Sequence, residues 1–264
     1  MEKLKKQRKS SISKNEYELI EKVQKFKVFD VSLIQKLTGY KKTKIYQLVF
    51  SLKKKGVIIE IKKGNYILSF LDYQPDISSV VCRLFWPSYI SFWTALSYYK
   101  FTEQLPTTIF LASTKIRKEM EILNTKISFI KLSPKRFFGY EKIDDMIIAE
   151  KEKALIDSLL LPRYSGGIEE VFKSLYNAWD EIDKKVLISY ALKMGNKSLL
   201  KRLGYLVEIG KLKIDKMLLN KLKREIGKGY SKLDPNASKR GKYNKKWNLI
   251  VNIERDLFKW REIL

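Results

Sequence analysis

The chain has 264 residues, 45% of them apolar, and carries 54 Lys and Arg against 29 Asp and Glu for a formal charge of +25. That length predicts two domains, the apolar share excludes an intrinsically disordered chain, and the charge favours a polyanionic partner, nucleic acid being the commonest soluble one. Histidine is absent and Cys82 stands alone, which removes Ser-His-Asp and Cys-His nucleophiles, His-ligated metals, disulfides and thiolate clusters.

No apolar run approaches the roughly 18 to 20 residues of a membrane span. The basic start Met1–Ser10 leads into no apolar signal core. A cytoplasmic protein without membrane contact, metal or other cofactor is expected. The charge is unevenly spread: residues 1–70 hold 18 Lys/Arg and 6 Asp/Glu, residues 71–210 hold 20 and 17, and residues 211–264 hold 16 and 6. A near-neutral body therefore lies between two basic ends.

In chain order, Ser13-Lys-Asn-Glu16 reads as a capping box opening a first helix on Leu19, Ile20, Val23 and Phe26, ending near Lys27. Asp30 caps a short second helix with Val31, Ile34 and Leu37, stopped at Thr38-Gly39. A third helix runs from about Lys42 to Lys55 on the stripe Ile45, Leu48, Val49 and Leu52, and Gly56 ends it. Val57–Ile61 and Tyr66–Leu68 around Lys62-Lys63-Gly64-Asn65 make a hairpin with a Gly-Asn turn. This is the order of a winged helix-turn-helix over residues 1–70, in which the third helix enters the major groove by its N-terminal half. With the apolar stripe facing the core, Lys41, Lys42, Thr43, Lys44, Tyr46 and Gln47 face outward. Lysines and the helix N-terminus suit phosphates, and Thr43 and Gln47 suit base edges. Lys62, Lys63 and Asn65 place further contacts at the wing.

Residues 71–264 are expected to form a second, mixed α/β domain of a few strands and several helices, giving an α+β chain overall. Leu71–Pro87 reads as a connector. A helix over Ser91–Tyr99 follows, then strands at Thr107–Ala112, Ile127–Leu132 and Phe137–Ile143. From Ile147 the pattern turns helical, over Ala149–Leu161, Ile168–Trp179, Lys184–Met194 and Ser198–Gly210.

Asp144, Asp145, Glu150, Glu152 and Asp157 lie within fourteen residues, and a two-metal nuclease needs converging carboxylates. Glu150 and Glu152 differ by about 200° around a helix, so they cannot share one site. They also alternate with Lys151 and Lys153, as on a solvated face. Ser165-Gly166-Gly167 is a turn rather than a phosphate loop. No catalytic residue is assigned, and the chain is not expected to be an enzyme. A nucleic-acid-processing enzyme using Asp144 and Asp145 is one alternative. A module that binds its partner directly is another.

In the basic tail (211–264), Lys228–Lys246 contains seven Lys/Arg and one Asp, with Gly229, Ser231, Pro235 and Gly241 opposing regular structure. Tyr230, Tyr243 and Trp247 interleave with the charges, and Lys239, Arg240, Lys242, Lys245 and Lys246 form a possible second basic surface. The segment either contacts DNA or packs on the fold. Trp247–Val251 then reads as a strand, and a last helix carries Leu257 and Trp260.

Several stretches together resemble the AbiEi family, the antitoxin and transcriptional repressor of type IV toxin–antitoxin systems. They are the wing Lys62-Lys-Gly-Asn-Tyr66, Tyr89-Ile-Ser91 with Ala95-Leu96, Thr102-Glu-Gln-Leu-Pro106, Ala149-Glu-Lys-Glu-Lys-Ala-Leu-Ile-Asp157, Arg202-Leu-Gly-Tyr-Leu206, Leu233-Asp-Pro235 and Gly241-Lys-Tyr-Asn-Lys-Lys-Trp247. The likeness spans most of residues 15–252. It departs at Tyr99-Lys100-Phe101, where the family pattern leads one to expect a glycine. The resemblance implies a repressor that binds inverted repeats in double-stranded DNA near its own promoter, as a monomer or homodimer. It also implies a nucleotidyltransferase-like toxin opposed without obligatory direct contact, and a second domain organised by Glu152, Lys153, Asp157 and Arg202.

Overall fold

The computed structural model describes residues 12–69 and 76–253. The fold is α+β, and the chain divides into two compact units, Met1–Phe85 and Trp86–Leu264.

The first unit runs α1 (Lys14–Val23), β1 (Phe29–Asp30), α2 (Val31–Thr38), α3 (Lys42–Lys54), β2 (Ile58–Lys62), β3 (Asn65–Leu68) and α4 (Ile77–Leu84); the three helices and the hairpin come in the expected order, and β1 and α4 are additions to it. The capping box is present, with Ser13 N–H donating to Glu16 Oε2 at 2.6 Å. Asp30 accepts from Leu33 N–H, and Gly39 closes α2 in the left-handed region that L side chains rarely adopt. Helix α1 stops at Val23, short of the expected Lys27.

Strand β3 pairs antiparallel with both β2 and β1, so the hairpin is a three-stranded sheet of order β1-β3-β2. Its turn is Lys63-Gly64, with Asn65 already on β3 and paired to Lys62. The helices and sheet enclose Leu19, Val23, Phe29, Ile34, Ile45, Val49, Leu52, Val57, Ile58, Tyr66 and Leu68.

The expected connector over Leu71–Pro87 is corrected. Within it Asp76 caps α4, and Val80 packs with Val28 and Ile67 in a second cluster joined by Ile61 and Leu84. Burying that apolar face is what ties α4 to the first unit.

The second unit is built on a six-stranded sheet of order β6-β7-β5-β4-β9-β8: β4 (Ser88–Ile90), β5 (Thr108–Ser113), β6 (Met120–Ile122), β7 (Thr125–Lys131), β8 (Tyr140–Ile143) and β9 (Met146–Ala149). The β5–β7 and β4–β9 pairs are parallel, the others antiparallel. The expected helical start at Ile147 is corrected, since Met146–Ala149 is a strand paired to Tyr140–Ile143. Phe137 to Gly139 precede β8 outside any strand.

Helix α6 (Lys151–Leu160) is buried at every position from Lys153 to Leu160, which makes it a core helix. Helices α5 (Phe92–Tyr98), α7 (Ile168–Ala178), α8 (Lys184–Lys193) and α9 (Lys197–Ile209) pack around it. Lys100, after α5, holds φ +60, so the backbone there has the left-handed turn a glycine favours although the residue is lysine.

Helix α10 (Lys216–Arg224) then leads to a small sheet of order β10-β12-β11: β10 (Ser231–Lys232), β11 (Lys242–Asn244) and β12 (Leu249–Val251). Regular structure therefore does form within Lys228–Lys246. The expected last helix with Leu257 and Trp260 lies outside the described residues. Among the described residues no helix is long and apolar enough to cross a membrane.

Candidate nucleic-acid interface

Helix α3 buries Ile45, Val49 and Leu52 and half-buries Leu48. Geometry then fixes the outward face. Thr43, Gln47, Phe50 and Lys54 recur at i, i+4, i+7 and i+11 opposite the core stripe, flanked by Tyr46. All five are exposed, as are Lys41 and Lys42 at the start of the helix. The helix contains no acidic residue, and its N-cap Lys41 supplies no side-chain cap, whereas Ser13 and Asp30 cap α1 and α2. Its first N–H groups and macrodipole are thus free of a side-chain acceptor and carry three lysines within one turn, an arrangement that attracts anions.

The structure sorts the predicted contacts. Lys41, Lys42, Thr43, Tyr46, Gln47 and Lys63 stay exposed at the helix and turn. Among the described residues, the side chains of Lys41, Lys42, Lys54 and Lys63 have no ion-pair or hydrogen-bond partner. Lys44 is directed elsewhere: its Nζ sits 3.5 Å above the Tyr40 ring and donates to Asn15 Oδ1 at 3.2 Å. Lys62 also turns away from the tip, its Nζ lying 4.8 Å from the Phe85 ring. Asn65 spends its amide on the turn, donating to Lys63 O at 3.2 Å. Cation–π stacking and local hydrogen bonding hold these three in place. Phe50, 71% exposed, is the residue the sequence reading missed. The same helical spacing that placed Thr43 and Gln47 places Phe50 on their face, one turn beyond Gln47.

The tail both packs and presents charge. Trp247 is fully buried and its indole N–H donates to Glu208 Oε2 at 2.8 Å. Lys201 Nζ donates to Gly229 O at 2.5 Å, and Arg202 Nε reaches Leu233 O at 2.9 Å while its Nη1 reaches Leu159 O at 3.2 Å. Burial lowers the Arg202 guanidinium to about 10, against the pull of Asp234. Asn252 ties Asp234 and Ser238 together. Outside this anchor Lys239, Arg240, Lys242 and Lys245 are exposed without a partner among the described residues, beside the exposed Tyr230–Tyr243 pair, whose rings lie 4.9 Å apart. Lys246 leaves that set, pairing with Glu208 at 2.7 Å.

The second-domain motif does not form one cluster. Lys153 and Asp157 bond each other in the core, and Asp157 Oδ2 accepts from Tyr89 Oη at 3.0 Å and Ser91 Oγ at 2.8 Å. Burial drives the Lys153 ammonium down, opposed by Asp157, and drives the Tyr89 phenol up, reinforced by Asp157. Glu152 instead accepts from Asp183 N–H at 2.7 Å, and Arg202 serves the tail.

The five carboxylates considered for catalysis do not converge either. Asp144 and Asp145 form the exposed β8–β9 turn, Glu150 accepts from Tyr190 Oη at 2.5 Å, and Asp157 is interior. Among the described residues no three His, Cys, Asp or Glu are grouped to hold a metal.

No family model matches the chain, and no curated protein matches it. Among solved structures it is similar to the crystal structure of the RV2827C protein from Mycobacterium tuberculosis. The TM-score is 0.64 at 12% identity, over 90% of this chain and 92% of that one. At that identity the likeness is one of fold.

Proposed function

We propose that the chain is a sequence-specific double-stranded DNA-binding repressor whose first unit is a winged helix-turn-helix. The observation that carries this reading is the outward face of α3: exposed Thr43, Gln47 and Tyr46, unpaired Lys41 and Lys42, and a helix start lacking a side-chain cap. In such a dock α3 enters the major groove, with Lys41 and Lys42 on phosphates and Gln47 and Thr43 at base edges. Lys63 at the wing turn adds a phosphate contact.

The resemblance to the AbiEi family extends the proposal. The repressor acts in the cytoplasm on inverted repeats near its own promoter, as a monomer or homodimer, and opposes a nucleotidyltransferase-like toxin without obligatory contact. Lys239, Arg240, Lys242 and Lys245 are then a second electrostatic surface. Fluorescence anisotropy with duplexes enriched from a random pool tests the core of the reading. Lys41→Ala with Lys42→Ala is expected to lower affinity and to reduce the salt slope by about two units. Unchanged affinity and slope would remove α3 from the interface. Growth rescue on co-expression with a neighbouring nucleotidyltransferase gene tests the antitoxin role separately.

A further inference from the structure

Phe50 is unusual on the outward face of α3. It is 71% exposed, and Tyr46 one turn earlier is 56% exposed. Neither contributes to the core cluster of the first unit. Phe50 stands between Thr43 and Lys54 on the line opposite the core stripe, about 10 Å along the axis from Thr43. Two aromatic side chains thus form an apolar strip along the face whose polar members address base edges. The surroundings select the partner. Lys41, Lys42 and Lys54 are exposed beside the strip and make no ion pair, and α3 offers no carboxylate to balance them. A protein partner would meet this ring of uncompensated lysines, whereas a major groove supplies phosphates on both walls. The only strongly apolar group on its floor is the thymine methyl.

We propose that Phe50, supported by Tyr46, recognises thymine methyl groups in the major groove. The bound sequence then carries thymine opposite the middle turns of α3, beyond the base pairs addressed by Gln47. This rests on the DNA-binding reading above, and its own test is a single atom group on the DNA.

Full-length protein is used to select duplexes from a random pool, and each thymine of the selected site is then replaced by deoxyuridine, which deletes only the methyl. At one or two positions in each half-site the replacement is expected to weaken binding about threefold to fivefold, the size expected for one methyl group withdrawn from water. Phe50→Ala is expected to bind the thymine duplex more weakly by a similar factor and to lose its response to deoxyuridine at those positions. Because Phe50 lies outside the core, the variant should retain the wild-type melting curve, and the wild-type deoxyuridine scan needs no variant at all. Equal affinity for thymine and deoxyuridine everywhere overturns the assignment, as does a Phe50→Ala protein with undiminished methyl sensitivity. A Phe50→Ala protein that changes oligomeric state yet keeps its methyl response also overturns it, in favour of a contact between copies. If no sequence is enriched at all, the DNA-binding reading fails and this inference falls with it.

Discussion

Lys153 and Asp157, one turn apart on α6, form an ion pair in which neither side chain has any solvent exposure. Asp157 keeps both oxygens occupied, one by Lys153 and the other by Tyr89 and Ser91. Lys153 also donates to Tyr89 Oη at 2.8 Å and lies 5.0 Å from the Phe138 ring. The arrangement fastens α6 to β4 through its hydrogen bonds and gives a buried charge the full set of partners it needs.

Removing one partner is therefore the costly change. Lys153→Met leaves Asp157 charged and unpaired in the core and is expected to destabilise the second unit by about 3–5 kcal/mol. The double variant Lys153→Met, Asp157→Leu should recover much of that loss, because no charge is then left stranded. Denaturant unfolding followed by circular dichroism measures both. A double variant as unstable as the sum of its singles would show that the pair is not the unit that matters.

Glu16 gives the first unit an acid sensitivity. Burial works to raise its carboxyl, but hydrogen bonds from Lys55, Ser51 and Ser13 outweigh it and hold the group at about 2. Lys55 Nζ reaches its two oxygens at 2.8 and 2.7 Å. The folded value lies below the ordinary one of 4.5, so this stabilisation is fully present above about pH 4.5 and is lost as pH falls towards 2. Glu16→Gln is expected to cost about 1.5–3 kcal/mol at neutral pH and to flatten the acid limb of the first unit's stability curve. An acid limb identical in variant and wild type would contradict the assignment.

The lysines of the proposed interface should separate into two groups. Lys42→Ala and Lys63→Ala each remove an exposed, unpaired cation and are expected to lower the salt slope of DNA binding by about one unit. Lys44→Ala and Lys62→Ala should change the slope less, since those ammonium groups already sit over Tyr40 and Phe85. Salt titrations of the four variants on one duplex decide it, and equal slopes for all four would contradict the sorting.

Gly204 on α9 faces Trp247, and a β-carbon there would overlap the six-membered part of the indole. Both are anchored, the tryptophan by its bond to Glu208 and the glycine by the helix backbone. Gly204→Ala is expected to destabilise the second unit by about 1–3 kcal/mol or more and to loosen the sheet of β10, β11 and β12. Faster hydrogen exchange at the Leu249–Val251 amides would report that loosening. Unaltered exchange would mean the ring shifts without cost.

The first unit was largely legible because its signals are local. A capping box, an Asp cap, a left-handed glycine and a 3.6-residue stripe each act within one turn of chain. Strand β4, with three residues, is too short to show a period, and Met146–Ala149 is a continuous apolar run that reads equally as the start of α6. Asp76 with Val80, Val81 and Leu84 did carry a helical signal, masked by the flanking prolines. At the site, spacing placed Lys42 and Gln47 correctly on the outer face but could not foresee that Lys62 meets Phe85, a contact made through the fold. The buried Lys153 looked like part of a solvated charge run. Its burial depends on Tyr89 and Phe138, which lie on other segments.

Sequence-specific DNA binding is tested most directly by a mobility shift of the full-length protein on duplex DNA from upstream of its own gene, at two salt concentrations, with a scrambled duplex as competitor. A discrete complex that survives the competitor and weakens with salt is expected, and Gln47→Ala should reduce the preference over the scrambled duplex. Binding both duplexes alike, with the same salt response and no effect of Gln47→Ala, would contradict that expectation and reduce the charge of +25 to a general polyanion surface.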